Sequence, residues 1–354
     1  MNIPKTMNGV VLSGHGGLDK LEWRDDLPLP ALNASEVLIK VGASAVNNTD
    51  VNTRTGWYSK SVRGDTESGA TQGYDDVQGG GWSGTLNFPL IQGADCCGEI
   101  VAVGDGVDSA CIGQRVLVRP MYHPMGADDP HAMQTFGSER NGAFAQYTSI
   151  DSENAVAINS PLSDAELASF PCAFSTAEGM IQRANLGAER VLITGASGGV
   201  GSAAIQLSKR RGAHVTAVTS AGKSDALRAL GADETLDRDA TPPQHAFDVV
   251  FDLVGGITWP NLLDALSVSG RYVTSGAIAG PIVELDLRTL YLMDLTLIGS
   301  TRQPHSVFTD LVGYIERGEI RPTLAATYAL KDIASAQESF LSKKHIGKIG
   351  LHIT

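Results

Sequence analysis

The pattern of apolar and polar positions changes character near residue 160. Before that point, short apolar runs at 37–41, 97–103 and 115–118 are separated by Gly and Asp turns, which predicts β-strands. Two polar stretches, 59–87 and 121–141, interrupt these runs and predict long loops. Loops of that length in compact domains are usually functional or mobile. The first part of the chain is therefore predicted to be rich in β-structure.

After residue 160, apolar strand candidates alternate with amphipathic helical stretches, which predicts a parallel sheet with helices on both faces. Runs such as Val191-Leu192-Ile193 are apolar at every position, as in a sheet buried on both sides. The predicted strands are 190–194, 214–219, 247–253, 270–275 and 295–300, and the helices are 199–211, 223–230 and 259–266. The tail adds a helix at 307–317, a strand near 327, a helix at 333–341 and a last strand at 348–353.

Length and charge narrow the function classes. A chain of 354 residues exceeds the usual size of one hydrophobic core, so two domains are expected. The net charge is −12 and Lys and Arg form no cluster, so neither nucleic acid nor a membrane surface is an expected partner. With no signal peptide, no membrane-length apolar run and four cysteines outside any CxxC pair, the chain is predicted to be cytoplasmic with reduced thiols.

Residues 191–201 read VLITGASGGVG, with a predicted strand before the glycines and a helix after them. Glycines here let the backbone approach a pyrophosphate, and the helix N-terminus offers free N–H groups and the positive end of its dipole. Ala196 replaces the first Gly of the usual GxGxxG pattern, and a turn without a ligand is the alternative. The turn predicts dinucleotide binding by Ser197, Gly198, Gly199 and Val200.

The end of the next strand favours NADP(H) over NAD(H). NAD enzymes usually place Asp or Glu about 20 residues after the glycines, to hold the ribose 2′-hydroxyl. This chain has Ser220 there, followed by Lys223, and Arg238 lies further along the chain. These residues suit a 2′-phosphate, which an acid would repel. The alternative for Lys223 is a solvated side chain in the first turn of its helix.

These motifs together resemble the medium-chain dehydrogenase/reductase superfamily over nearly the whole chain. The matching segments are the glycine turn, 252–256, 270–273, 297–300 and 347–349. The resemblance implies an α/β fold in which a GroES-like β-rich catalytic domain, 1–157 and 302–354, flanks a Rossmann domain with a doubly wound parallel sheet, 158–301. It also implies an active site in the cleft between them and a homodimer or homotetramer.

The zinc ligands of that superfamily do not match this chain. By resemblance, the three ligand positions correspond to Asn47, the Gly93-Ala94-Asp95 segment and Cys172 in this chain. Asn47 cannot replace a thiolate ligand, and Ala94 cannot replace an imidazole ligand. We therefore predict no catalytic metal, and Cys172 as a small buried apolar residue. A weak metal site at Asp95 and Cys172 remains the alternative. Solvated loop residues stand where the four-cysteine structural zinc lobe would be.

Loss of zinc together with an Asn-x-x-Asp loop at 47–50 resembles the quinone oxidoreductase branch. Two departures are Asn52, where that branch often has Tyr, and the 59–87 insertion, which is expected beside the substrate cleft. The segment 136–142 also resembles a poorly characterised group of alcohol dehydrogenase-like proteins. The resemblance thus leaves the substrate open.

Without zinc, a conjugated acceptor is easier to reduce than a plain carbonyl, because its negative charge spreads onto oxygen and needs only hydrogen-bond donors. We predict that Asn47 orients the nicotinamide ribose or the acceptor oxygen. Tyr58 is the predicted donor, with Thr49 second, and packing at a loop base is the alternative for Tyr58. Trp57 and Trp82 either line an aromatic pocket or pack against the domain.

Further cofactor contacts are predicted from the resemblance and from strand ends, where ligands bind in such sheets. They are Thr176, Val254, Gly276, Ala277 and Lys348, and the alternative for Lys348 is a solvated terminal lysine. The predicted function is NADPH-dependent hydride transfer to a quinone or conjugated enone. The alternatives are a zinc-independent alcohol dehydrogenase or carbonyl reductase, and an NADPH-binding protein without turnover.

Overall fold

The structure is a computed structural model that describes residues 3–75, 77–82 and 84–354. The strands, in chain order, are β1 Thr6–Leu12, β2 Leu21–Pro28, β3 Glu36–Val46, β4 Gly80–Gly81, β5 Gly84–Thr85, β6 Cys97–Val103, β7 Arg115–Val118, β8 Met121–Tyr122, β9 Gln134–Thr135, β10 Tyr147–Asp151, β11 Ala155–Ala157, β12 Arg190–Ile193, β13 His214–Thr219, β14 Glu234–Asp237, β15 Phe247–Asp252, β16 Leu266–Thr274, β17 Thr296–Gly299, β18 Leu324–Ala329 and β19 Lys348–His352. The helices are α1 Asn48–Thr55, α2 Asp164–Leu167, α3 Pro171–Ala184, α4 Gly199–Arg210, α5 Ser224–Leu230, α6 Trp259–Asp264, α7 Leu287–Leu292, α8 His305–Glu316 and α9 Ile333–Leu341.

The second part of the chain forms the predicted Rossmann sheet. Six strands pair in the order β14-β13-β12-β15-β16-β17, and every pair is parallel. Strand order reverses between β12 and β15, which opens a crevice at the carboxyl ends of these strands. Val191, Leu192 and Ile193 are fully buried, as their unbroken apolar run predicted. The fold class is confirmed.

The β-rich part is built from both ends of the chain. Its seven-stranded sheet has the order β11-β7-β6-β3-β19-β18, with β10 also paired to β3. The C-terminal strand β19 lies antiparallel to β3, where Ile349 pairs with Val46. This pairing brings the last residues of the chain to the loop that starts at Asn47. The predicted domain limits stay a prediction. The helix α8, which was assigned to the catalytic domain, packs against α3 in the same hydrophobic core as the Rossmann strands.

Several elements were not predicted from the sequence. The strand β2 is exposed at most positions and, among the described residues, pairs with β1 alone, so it shows little apolar alternation. The helix α3, which is buried along most of its length, was also not predicted. The predicted loops at 59–87 and 121–141 contain the short hairpins β4–β5 and β8–β9. The predicted strand 270–275 begins earlier, at Leu266.

The 59–87 insertion crosses from the β-rich part to the Rossmann part. The Thr66 N–H donates to the Ile278 carbonyl at 3.0 Å, and the buried Arg54 guanidinium donates to the Ala70 carbonyl at 2.9 Å. These bonds hold the insertion at the mouth of the cleft, as expected for a segment beside the substrate. Among the residues that the structure describes, no helix is both long enough and apolar enough to cross a bilayer.

Candidate active site

A cleft of about 950 Å³ lies between the β-rich part and the carboxyl ends of the Rossmann strands. Its walls come from the loop after β3, the insertion, the glycine turn and the segment before β19. All of the predicted site residues line it: Asn47, Thr49, Tyr58, Thr176, Ser197, Gly198, Gly199, Val200, Ser220, Lys223, Arg238, Val254, Gly276, Ala277 and Lys348. The structure thus brings them to one place, while their individual roles stay predictions.

The glycine turn forms a cradle for a phosphate group. Gly198 is the N-cap of α4, so the first N–H groups of this helix point into the cleft without intrahelical partners. A Cβ on Gly201 would lie 2.3 Å from the Gly195 carbonyl oxygen, so only glycine allows this turn to pack. A Cβ on Gly199 would lie 2.8 Å from the Lys348 side chain. The residues present therefore fit the pyrophosphate of a dinucleotide.

A basic group lies at the end of β13, where a ribose is expected. Lys223 is only partly exposed, and its ammonium donates to the Lys343 and His345 carbonyls at 2.6 and 2.8 Å. The solvated alternative for Lys223 is therefore wrong. Burial lowers the pKa of Lys223, and the nearby charge of Arg238 lowers it further. Lys223 and Arg238 are therefore two neighbouring cations, and among the described residues no carboxylate is bonded to Lys223. This arrangement suits an anionic ligand.

The Val254–Gly255 backbone is held by a buried carboxylate that the sequence analysis did not identify. Asp252 accepts hydrogen bonds from the Tyr272 hydroxyl at 2.6 Å and from the Val254 N–H at 2.9 Å. It also accepts from the Thr194 hydroxyl, at the end of β12. Asp252 thereby fixes two strand ends beside the cofactor cradle.

The base of the cleft contains a buried ion pair, which we name the Lys348–Asp95 cluster and define by Lys348, Asp95 and Asn47. The Lys348 ammonium lies 2.7 Å from an Asp95 carboxylate oxygen, and the two side chains are 2% and 0% exposed. The Asn47 amide donates to Asp95 at 2.8 Å and accepts from Lys348. The solvated alternative for Lys348 is therefore wrong. Both ends of the Asn47 amide are engaged here, so its predicted role toward substrate would require these bonds to break.

The helix α3 begins at this cluster. The Cys172 N–H donates to the second Asp95 oxygen at 2.7 Å, and the Cys172 side chain lines the cleft. Cys172 was predicted to be a small buried apolar residue; it is partly exposed, because the first turn of α3 lines the cleft. Thr176, one turn further, also lines the cleft, and its hydroxyl donates to the Cys172 carbonyl at 2.7 Å.

The Asn-x-x-Asp loop forms the N-terminus of α1. The Asp50 carboxylate accepts from the Asn47 N–H at 2.7 Å and from the Ala94 N–H at 3.3 Å. Burial raises the pKa of Asp50 to about 7. Asp50 thus ties the helix to the 93–95 segment, which gives this residue a structural role in placing the Lys348–Asp95 cluster.

An aromatic wall faces the cluster across the cleft. Tyr58 stands between Trp57 and Trp82, with edge-to-face contacts at ring-centroid distances of 5.7 and 5.3 Å. Trp57 and Trp82 pack on Tyr58 and also line the cleft, so a role in an aromatic pocket stays a prediction. Burial raises the pKa of Tyr58 to about 12, so its hydroxyl stays protonated at neutral pH and can donate a hydrogen bond.

Comparison with known proteins agrees with this geometry. Residues 33–160 match the alcohol dehydrogenase GroES-like domain, and residues 199–317 match the zinc-binding dehydrogenase family. A solved structure from Sinorhizobium meliloti 1021, provisionally named an alcohol dehydrogenase, is 44% identical with a TM-score of 0.88, covering 99% of this chain and 98% of its own. The chain belongs to the medium-chain dehydrogenase/reductase superfamily.

One curated relative places it in the quinone oxidoreductase-like branch of the superfamily, and a second is similar over nearly its whole length. The quinone-oxidoreductase homolog of Spinacia oleracea is 30% identical over 76% of this chain and 74% of its own length. Acryloyl-coenzyme A reductase of Metallosphaera sedula is 28% identical over 97% of this chain and 99% of its own length. This medium-chain dehydrogenase/reductase is therefore an oxidoreductase that binds a nicotinamide dinucleotide and acts on a small molecule.

The zinc site that the family description implies does not fit the residues of this medium-chain dehydrogenase/reductase. Asn47 and Ala94 occupy two ligand positions, and the ammonium of Lys348 lies against Asp95. Only the third position, Cys172, has a residue type that binds zinc, and one ligand does not make a tetrahedral site. Within 3–75, 77–82 and 84–354, no group of three or more His, Cys, Asp or Glu side chains is placed to hold a metal ion.

Several residues of the cleft were missed or only partly recognised from the sequence. Lys343 and His345 come from the turn before β19, and burial lowers their pKa values to about 8 and about 4. Their short Lys-Lys-His run was the available signal, but a run of that kind usually marks a solvated surface. Asn52 was noted only as a departure from the family, and the structure places it in the cleft wall.

Proposed function

We propose that this protein is an NADPH-dependent reductase of conjugated enones that works without zinc, with quinones as a second acceptor class. The observation that carries the proposal is the base of the cleft. A buried Lys–Asp pair is hydrogen-bonded to Asn47 and Cys172, which occupy two of the zinc-ligand positions. Tyr58, whose hydroxyl is protonated at neutral pH, lines the same cleft. A relative named acryloyl-coenzyme A reductase acts on a conjugated C=C bond, which supports this acceptor class.

The preference for NADPH rests on charge at the end of β13. Ser220, Lys223 and Arg238 line this part of the cleft, and the position for an NAD-binding acid is taken by Ser220. The hydroxyl of Ser220 and the cations of Lys223 and Arg238 would all be available to bind a 2′-phosphate there. Asp239 lies at the same rim, so we assign the selectivity to the two cations together.

Hydride donation is the chemistry that a bound NADPH supplies. In this proposal the glycine cradle and the cationic group hold the dinucleotide, and we assign Thr176 and the Gly276–Ala277 backbone, which line the cleft, to contacts with the nicotinamide. Tyr58, which is protonated at neutral pH, donates a hydrogen bond to the acceptor oxygen, where negative charge develops as the β-carbon is reduced.

Chelator-treated protein tests the proposal directly. We expect NADPH oxidation with 2-cyclohexen-1-one or an ortho-quinone, and little with a plain saturated aldehyde. Turnover that disappears after chelation and returns with zinc would overturn the zinc-free reaction. Turnover of the aldehyde alone would point to a carbonyl reductase instead. Tight NADPH binding without turnover of any acceptor would leave a cofactor-binding protein.

Replacement of Tyr58 by Phe tests its role as donor. Removing one donor to a developing oxyanion lowers the turnover number by roughly 100-fold, and we expect that effect in Y58F. The matched control is Y328F, because Tyr328 lies on β18 and belongs to the β-rich core instead of the cleft. A turnover number in Y58F equal to that of Y328F would remove Tyr58 from the mechanism.

We further propose a homodimer formed through the edge of the Rossmann sheet. The last strand, β17, has another strand on one side only, and its side chains are largely exposed. Exposed apolar side chains lie on it or nearby, namely Leu297, Tyr291 and Leu292, at 37%, 62% and 68%. An unpaired edge strand with exposed apolar side chains beside it favours pairing with the same strand of a second copy of the chain. Light scattering should show a dimer for the wild type and a monomer for L297K; a wild-type monomer would refute the proposal.

A further inference from the structure

The insertion at 59–87 is bonded to the Rossmann part through Thr66. This residue is 3% exposed, and its N–H donates to the Ile278 carbonyl at 3.0 Å. The Thr66 hydroxyl donates to the same oxygen at 3.3 Å. Ile278 lines the cleft directly after Gly276 and Ala277, which we assign to contacts with the nicotinamide. A segment outside the Rossmann sheet therefore holds the backbone beside the reacting end of the cofactor site.

The loop after β16 is also held from the Rossmann side. The Thr274 hydroxyl donates to the Gly276 carbonyl at 3.1 Å, and the Ala279 N–H donates to the Val254 carbonyl at 2.8 Å. Ile278 lies between these two bonds, and its carbonyl is the one that accepts from the insertion. Without the insertion contact the loop would keep both Rossmann bonds, so we expect its backbone to shift by a small distance instead of unfolding.

The turn that carries Thr66 is itself fixed. The Asp65 carboxylate accepts two backbone N–H bonds within the turn, at 2.9 and 2.7 Å. The Arg54 guanidinium on α1 is fully buried, and it donates to the Ala70 carbonyl at 2.9 Å and to the Gln337 amide oxygen on α9 at 3.0 Å. A turn that is held by its neighbours in this way can fix the position of the loop that it contacts.

Small shifts matter at this place because hydride transfer depends on geometry. A misplacement of about 1 Å between reacting groups can lower a rate by about 100-fold. The insertion contacts both sides of the proposed reaction. Thr66 holds the cofactor side, and Trp82 packs on Tyr58 on the acceptor side, with ring centroids 5.3 Å apart. One segment thus links the two walls between which the hydride would pass.

We propose that Thr66 is a positioning residue for hydride transfer, because its bonds to the Ile278 carbonyl set the Gly276–Ala277 backbone against the nicotinamide. This proposal rests on the proposed enone reductase function. Thr66 touches neither the substrate nor the reacting atoms and acts through the loop. Its effect falls on kcat instead of on cofactor affinity, because the phosphate groups of the dinucleotide are bound elsewhere, at the glycine turn and at Lys223 and Arg238.

A series of variants at Thr66 tests the proposal with NADPH and 2-cyclohexen-1-one. T66S keeps both donors, T66A keeps the N–H alone, and T66P removes both. We expect the wild-type kcat in T66S and a kcat at least about tenfold lower in T66P, roughly the effect of one hydrogen bond, with T66A between them. The KM for NADPH should change by less than about twofold. The control is T71P, because Thr71 lies on the same insertion and is exposed.

A deuterium isotope effect separates positioning from a merely structural role. With NADPH deuterated at the transferred position, the isotope effect on kcat in T66P should equal or exceed that of the wild type, because the slowed hydride transfer limits turnover. A role in folding alone would lower the melting temperature and leave kcat per bound NADPH unchanged. The proposal is overturned by a kcat in T66P equal to that of T71P, or by a lower kcat with a smaller isotope effect, which would place Thr66 at another step.

If T66P does not fold, T66A and D65A take its place. D65A leaves Thr66 intact and removes the carboxylate that holds its turn. Both variants should lower kcat by about threefold and leave the KM for NADPH unchanged. A kcat in both variants equal to that of T71A would overturn the proposal.

Failure of the proposal and failure of the proposed function give different results. If the wild type reduces neither an enone nor a quinone, the reductase function is wrong, and the fluorescence of bound NADPH then tests Thr66 without turnover. We expect the change in nicotinamide emission on binding to be smaller in T66P than in the wild type and in T71P, with the Kd for NADPH within about threefold. Emission equal to that of T71P, or no binding of NADPH by the wild type, would overturn the proposal. A Kd raised more than about tenfold would overturn it as well, because Thr66 would then act on affinity.

Discussion

Breaking the Lys348–Asp95 cluster from one side should destabilise the protein. K348M keeps the length of the side chain and removes its charge, so the fully buried Asp95 carboxylate loses the ammonium at 2.7 Å. Removing one partner of a buried pair costs about 3–5 kcal/mol, because the other charge stays buried without compensation. Asp95 retains its bonds from the Asn47 amide and the Cys172 N–H. We therefore expect K348M to lower the free energy of unfolding by about 3 kcal/mol, at the low end of that range.

Urea unfolding of a double-mutant cycle measures the effect. K348M, D95N and the double variant are compared with the wild type, with K344M as the control at an exposed neighbouring lysine. Since the double variant leaves neither charge buried, it should lose much less stability than the sum of the single variants. We expect a coupling free energy of at least about 1.5 kcal/mol.

Two results would refute this reasoning. One is a free energy of unfolding for K348M that lies within about 0.5 kcal/mol of that for K344M, which is the range usual for surface substitutions. The other is an additive double variant, which would mean that Lys348 and Asp95 do not stabilise each other. The KM of K348M for NADPH tests separately the predicted cofactor contact of Lys348.

The remaining predictions concern the cofactor. R238A should raise the KM for NADPH by about tenfold and leave that for NADH unchanged, because one charge-assisted bond to a 2′-phosphate contributes roughly 1.5 kcal/mol or more; steady-state kinetics with both dinucleotides checks this, and equal effects on both would contradict it. Burial lowers the pKa of Lys343 to about 8, so its positive charge is present below pH 8 and lost as the pH rises through that value. The KM for NADPH should therefore rise between pH 7 and pH 9 in the wild type and stay flat in K343M, and the same slope in both would exclude Lys343 as a cofactor contact.

Much of the cofactor half could be predicted from the sequence because its signals are local. The Rossmann strands show as apolar runs, and the phosphate turn shows as glycines between a strand and a helix within eleven residues. The predicted limits of β13 and α9 agree with the structure, and those of β12 and α4 differ by one residue. The hairpin β1–β2 was missed because β2 is mostly exposed and shows little apolar alternation, and the helix α3 was missed as well.

The substrate half depends on pairs far apart in sequence. The zinc-ligand mismatch at Asn47, Ala94 and Cys172 could be recognised from the sequence, but the partner of Asp95 could not. Lys348 lies 253 residues away, and only the pairing of β19 with β3 brings it to the carboxylate. The burial of Lys348 excludes the alternative of a solvated terminal lysine.

The sequence by itself therefore determined the fold class, the dinucleotide cradle and the cationic residues near it. Each of these can be recognised from residues that lie close together in the chain. Only the tertiary structure decided that Lys348 pairs with Asp95 and that Thr49, Asn52 and Trp82 lie around the Tyr58 hydroxyl in the cleft wall. Those arrangements arise because chain segments from both ends and from the insertion meet at one cleft. The sequence shows the charges and polar groups of these residues, but only folding gives each of them its neighbours.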